Sequence, residues 1–164
     1  MQRTSKENYY LDIAETVLER ATCLRRVYGA IIVKNDEIIA TGYNGAPRGR
    51  RNCSDLGYCT RAALKIPSGQ RYELCRSVHA EANAIISAAR RDTVGGTLYL
   101  VGRDARTGAL LPDATSCSMC RRLIINAGLD RVVIRNTPTE YSVVDVRRDW
   151  VEEDDSLPED LPER

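Results

Sequence analysis

Residues 79–90 read HAEANAIISAAR, residues 97–101 TLYLV, residues 117–127 CSMCRRLIINA and residues 131–135 RVVIR. The first and third place small and apolar side chains at helical spacing. The second and fourth are apolar runs of strand length. Gly95-Gly96 stands just past the first helix, and Gly128 supplies the stop for the second. Helix, strand, helix and strand in succession predict that the two strands pair in parallel, because a helix carries the chain back between them.

Working outward, residues 6–22 carry Tyr10, Ile13, Ala14, Val17, Leu18 and Ala21 on one helical face, with Ser5 placed to cap the start. Tyr28–Val33 and Glu37–Tyr43 are apolar runs around a short polar turn at Asn35-Asp36, which predicts an antiparallel hairpin. Residues 42–51 are rich in Gly, Asn, Pro and Arg and read as a loop. Residues 52–78 resist assignment; they hold Cys53, Cys59 and Cys75 and a Pro67-Ser68-Gly69 turn. Residues 102–116 form a long polar connection, and Tyr141–Val146 is a candidate last strand. The fold class is α/β: one mixed sheet covered by helices on both faces. Residues 1–148 form a single domain, and residues 149–164 an acidic, flexible C-terminal tail.

The chain of 164 residues is long enough for one domain with its own core. Its 24 Lys+Arg and 23 Asp+Glu nearly cancel, but unevenly. Residues 149–164 hold eight acids against one Arg, whereas residues 1–148 hold 23 basic and 15 acidic residues. A mildly basic body fits a small anionic ligand better than a long nucleic acid. No stretch has the roughly 18 apolar residues of a membrane span, and residues 1–12 lack the apolar run of a secretory leader. A cytoplasmic location is therefore expected. Six cysteines in a reducing compartment point to metal or catalysis rather than a disulfide framework.

The chemistry concentrates in His79-Ala80-Glu81 and Cys117-Ser118-Met119-Cys120. Zinc takes nitrogen and thiolate ligands in tetrahedral geometry, and a catalytic site leaves one of four positions open. One His and two Cys meet that count. A helix N-terminus favours thiolate over thiol, and both motifs open predicted helices. Glu81 lies roughly 200° around a helix from His79, so it suits a proton carrier beside the metal better than a ligand. Alone, each motif is weak: His-x-Glu carries little information, and Cys-x-x-Cys also occurs as a structural half-site or redox pair. Together they are specific, because His79 is the only histidine in the chain.

Three longer runs carry a family resemblance: TCLRRVYGAII at 22–32 followed by ATGYNGAPRG at 40–49, CRSVHAEANAI at 75–85, and CSMC at 117–120 followed by IINAG at 124–128. Across residues 6–136 the chain resembles the deoxycytidylate (dCMP) deaminases. The resemblance implies the cytidine deaminase-like fold, three layers α/β/α around a central mixed five-stranded sheet. It implies zinc held by His79, Cys117 and Cys120, with Glu81 as the catalytic proton shuttle. It implies hydrolytic deamination of dCMP to dUMP in a homo-oligomer, dimer or hexamer. Asn44 matches an asparagine contacting sugar and base, and the backbone N–H of Ala80 matches a contact to the pyrimidine carbonyl. Arg48, with Arg50 and Arg51, is a candidate for the phosphate, and Arg26 a weaker one. Tyr43 and Tyr141 are candidates for stacking on the base. Cys23, Cys53, Cys59 and Cys75 number what a second, structural Zn(2+) requires.

Departures from the family pattern bear on substrate choice. Ser116 stands where relatives have Pro, and it can cap the following helix instead. Asn52 stands where many have His, which weakens the second-zinc reading. The insertion at 101–116 must border the site, because it joins a core strand to a ligand-bearing helix. Another nucleotide, a free base or a tRNA adenosine stays open as substrate. So does a non-catalytic zinc-binding module, against which the retained Glu81 argues.

Overall fold

A computed structural model describes residues 1–158. The chain opens with α1 (Lys6–Leu18), whose first turn is capped by Ser5: its hydroxyl accepts from the Asn8 N–H at 3.3 Å. Then come β1 (Arg26–Lys34) and β2 (Glu37–Tyr43). Asn35 and Asp36 between them both take positive φ, the conformation a tight two-residue hairpin needs. Residues 52–78 form short helical turns, α2 (Cys53–Leu56), α3 (Thr60–Ala63) and a 3₁₀ turn at Tyr72–Leu74. The expected helix over 79–90 divides into α4 (Ala80–Ile86) and a separate turn, α5 (Arg90–Thr93). β3 (Thr97–Asp104), α6 (Ser118–Asn126), β4 (Arg131–Arg135) and β5 (Tyr141–Asp145) complete the core.

The sheet order is β2-β1-β3-β4-β5. β3 and β4 pair in parallel; every other pair is antiparallel. β1 runs buried from Ala30 to Val33, as a central strand covered on both faces must. The two faces separate by residue parity. Ile31, Val33, Tyr99, Val101 and Val133 pack against Tyr10, Leu11, Ala14 and Leu18 of α1. Ala30, Ile32, Leu98, Leu100, Val132 and Ile134 pack on the other face against Ala80 and Ala84 of α4 and Ile124 of α6. The mixed five-stranded α/β/α architecture is the expected one.

Gly42 sets how close α4 comes to the sheet. A Cβ at that position would stand 2.3 Å from the Ala80 carbonyl oxygen and 2.4 Å from the Ala84 nitrogen. The helix start that carries His79 is thereby seated directly on β2.

The expected flexible tail at 149–164 needs revising at its start. Residues Arg147–Glu152 form a helical turn, Val146 is buried, and Trp150 packs on the core and under the Arg121 guanidinium at 5.1 Å. An indole has enough apolar area to fold the adjoining acidic residues down with it. The remainder of that expectation, residues 159–164, lies outside the described residues. No helix of the described residues is long and apolar enough to cross a membrane.

Candidate metal and substrate site

α4 and α6 bring their N-termini together on one face of the sheet. His79 is the N-cap of α4, Cys117 is the N-cap of α6, and Cys120 lies in the first turn of α6. Their ligand atoms all fall within 4.8 Å of one another, the only such group among the described residues. His79 Nδ1 stands 3.5 Å from Cys117 Sγ and 3.4 Å from Cys120 Sγ. Tetrahedral zinc with ordinary Zn–N and Zn–S bonds separates such atoms by about 3.5 Å, so this donor set fits the ion in both chemistry and spacing. The two cysteines divide one charge between them. Cys117 is drawn below the usual thiol range, first by its hydrogen bond from Cys120, and Cys120 is driven up by the same bond. The imidazole of His79 is pushed up to about 10, chiefly by Cys117.

Glu81 is buried beside this trio. Burial pushes its carboxyl up, against the pull of its own backbone N–H and of His79. A carboxyl so raised holds and releases a proton near neutral pH more readily than an exposed one. The Ala80 N–H lies in the first turn of α4, where backbone donors have no partner within the helix.

Asn44 is buried at the edge of the same cavity. Its carboxamide accepts from the Tyr28 N–H at 2.8 Å and donates to the Arg26 carbonyl at 2.9 Å. Asn44 therefore continues the β2–β1 ladder beyond its backbone bonds. Its φ is not among the positive ones, which removes the simple turn reading.

Some sequence expectations land elsewhere. Arg48 and Arg50 border a different cavity, over the exposed face of β2, together with Tyr43. Tyr141 begins the outermost strand, β5. The tyrosines that line the site are Tyr28 and Tyr72, and Tyr72 meets the His79 ring edge-on at 5.1 Å. Ser116 does not cap α6: its buried hydroxyl has no hydrogen-bond partner among the described residues. The 101–116 insertion extends β3, turns back with a bridge between Arg103 and Leu110, and walls a second cavity adjoining the first. Tyr28, Tyr72 and Arg26 line both cavities.

Of the four further cysteines, Cys23, Cys59 and Cys75 line the site cavity and Cys53 is buried nearby. Burial, and then its three cysteine neighbours, push the Cys53 thiol up. No three of these sulfurs lie within 4.8 Å of one another.

Residues 4–136 match the model of the cytidine and deoxycytidylate deaminase zinc-binding region. The chain belongs to this family. It is 35% identical over 137 residues to a deoxycytidylate deaminase of Mycobacterium phage D29, covering 81% of this chain and 96% of that one. It is 34% identical over 131 residues to a deoxycytidylate deaminase of Schizosaccharomyces pombe, covering 80% of this chain but 37% of that longer protein. The fold is also similar to a crystal structure of dCMP deaminase from the cyanophage S-TIM5 in complex with dCMP and dUMP. The TM-score is 0.56 at 25% identity, with 83% of this chain and 85% of that chain covered. Membership makes the chain a zinc-dependent deaminase and gives His79, Glu81, Cys117 and Cys120 a common setting.

Proposed function

We propose that this deaminase converts dCMP and water to dUMP and ammonia. The observation that carries the reading is the His79–Cys117–Cys120 trio at tetrahedral-zinc spacing, with a buried carboxyl one helical turn away. The D29 relative, matched across almost its whole length, supports the substrate. So does the cyanophage structure, which holds dCMP and dUMP.

His79 Nδ1, Cys117 Sγ and Cys120 Sγ hold the ion. Zinc bound there acts as a Lewis acid and makes a water available as hydroxide near neutral pH. Glu81 takes the proton of the attacking water and passes it to the ring nitrogen. It then delivers a proton to the departing amine, so that ammonia leaves and a carbonyl remains. This is the division of labour of zinc deaminases as a class. The Ala80 N–H donates to the pyrimidine carbonyl. Asn44 holds the β1 backbone against the sugar, with the rest of its carboxamide turned to the cavity.

The test is ammonia release from zinc-loaded protein on dCMP, CMP, deoxycytidine, cytosine, dCTP and adenine nucleotides. Preference for dCMP is expected. Turnover of another member alone would move the substrate and keep the chemistry; silence across the set would favour a non-catalytic zinc module.

A second Zn(2+) on Cys23, Cys53, Cys59 and Cys75 belongs to the same reading, supported by the mutual proximity of the four thiols. Their sulfurs would have to draw together on binding, and metal analysis of Cys53→Ser against the parent distinguishes two ions per chain from one. A homo-oligomer, dimer or hexamer, is the expected assembly and light scattering measures it. Six free cysteines suit a cytoplasmic location.

A further inference from the structure

Arg61 is the cation in this molecule with the least obvious reason to be where it is. It stands on α3, in the segment that gives no periodic signal, yet it is only 7% exposed and lines the site cavity. Its Nε donates to the Gln70 carbonyl at 3.1 Å, and its Nη2 donates to the carbonyls of Gln70 at 2.7 Å and Pro67 at 3.2 Å. The guanidinium lies over the Tyr72 ring at 4.5 Å. No carboxylate pairs with it, and Nη1 has no hydrogen-bond partner among the described residues. The only acid lining the cavity is Glu81, which sits at the trio. A buried charge met only by neutral carbonyls and a π face is costly, and a chain that keeps one in a binding cavity keeps it for an anion.

The geometry says which part of the ligand that anion is. Arg61 stacks on Tyr72, and Tyr72 meets His79 with ring centres 5.1 Å apart. The guanidinium is thus two stacking distances from the metal-binding imidazole, within the length of one nucleoside monophosphate. Arg25 and Arg26 stand at the exposed rim of the same cavity. We infer that Arg61, with Arg26 at the rim, binds the 5′-phosphate of the substrate, and that this pair selects a nucleotide over its nucleoside. This deepens the deaminase reading and rests on it for the nature of the ligand. The guanidinium is pre-oriented by the two loop carbonyls, leaving its free edge for phosphate oxygens.

The consequence is an unusual division of the chain. Ligands for the ion come from α4 and α6, while the phosphate is read from the 52–78 segment, which folds over the cavity through Arg61 and Tyr72. The basic loop at 48–51 takes no part in it.

The test is calorimetric titration of the zinc-loaded full chain with dUMP and with deoxyuridine, which needs no turnover. The parent is expected to bind dUMP more tightly than deoxyuridine by roughly thirty- to hundredfold, the scale of charge-assisted hydrogen bonds. In Arg61→Gln that ratio collapses towards one; in Arg61→Lys, which keeps charge but not the fork, it falls part-way. Because Arg61 also holds the loop, Arg26→Gln is measured alongside. It lowers the ratio several-fold whether or not Arg61→Gln folds. A parent that binds both ligands equally overturns the inference, as does an unchanged ratio in Arg26→Gln together with an unchanged ratio in, or failure to fold of, Arg61→Gln. Ammonia release by the parent on dCMP is followed in parallel. Loss of phosphate selectivity with turnover intact defeats only this inference, and selectivity without turnover defeats only the deaminase reading.

Discussion

Tyr28 lies directly across the β1–β3 ladder from Gly102, and its ring fills the space a side chain there would need: a Cβ on Gly102 would stand 2.6 Å from Tyr28 Cε1. The same Cβ would lie 3.3 Å from Ala114 Cβ in the returning limb of the insertion. The ring thus has strand below it and the insertion beside it, and it forms a wall shared by two adjoining cavities. Gly102→Ala must push the ring aside. A loss of about 1–3 kcal/mol in urea unfolding is expected, the usual scale of overpacking. The penalty should largely vanish in a Tyr28→Ala background. Equal penalties in both backgrounds would mean that the ring yields freely and does not shape the cavity.

Glu81→Gln keeps the size of the side chain and removes its ability to carry a proton. Turnover is expected to fall by roughly 10³–10⁴-fold, the upper range for general acid–base catalysis. Zinc content should be unchanged, because the ligands are His79, Cys117 and Cys120. Metal analysis and ammonia release on the same preparation check both halves. Appreciable residual activity would remove Glu81 from its role; loss of zinc would mean that it supports the ligands instead.

Much of this site was legible in the sequence, for a physical reason. His79, Glu81, Cys117 and Cys120 sit at helix starts, and a helix start is a local property that the chain announces through spacing and stop residues. The sheet was legible for the same reason, since each strand carries its own apolar run. Arg61, Tyr28 and Tyr72 were not. Their placement comes from contacts that no local pattern encodes: a guanidinium held by the carbonyls of residues 67 and 70, a tyrosine admitted by a glycine on another strand. Arg48 drew notice because it stands in a Gly- and Pro-rich basic loop, but that loop covers a different cavity. The tail misled similarly. Its charge hid the one residue, Trp150, with enough apolar area to fasten its beginning to the core.

The protonation of the zinc ligands makes binding of the ion pH-dependent with a defined sign. Near neutral pH His79 is protonated, its pKa being pushed up to about 10, and Cys120 retains its proton while Cys117 is already thiolate. Zinc requires neutral imidazole and two thiolates, so binding releases one proton from His79 and one from Cys120. Affinity is expected to rise by about two decades per pH unit around neutrality and to flatten with regard to His79 as pH passes its raised pKa. Calorimetry in buffers of different ionisation enthalpy counts the protons directly. Release of three would mean that Cys117 is not the pre-formed thiolate; release of one would mean that His79 is already neutral.

Arg135 anchors the opposite face of the sheet. It is 2% exposed and its Nη1 meets Asp12 at 2.8 Å and Glu15 at 2.7 Å, both on α1. Its Nη2 donates to the Asn8 carbonyl at 3.2 Å, and Glu15 also pairs with Arg103 of β3. One carboxylate thus ties α1 to β3 and β4 together. Asp12 is mostly exposed and contributes little, so Glu15 is the partner that matters. Removing it leaves a buried guanidinium nearly uncompensated, and Glu15→Ala is expected to cost about 3 kcal/mol of stability, the low end for a broken buried pair because Glu15 keeps some solvent contact. The loss should resist screening: denaturation midpoints of parent and variant are expected to differ by the same amount in low and in molar salt. A difference that disappears in salt would reduce the network to a surface ion pair. Since α1 lies across the sheet from α4 and α6, zinc content and turnover of the folded variant should match the parent.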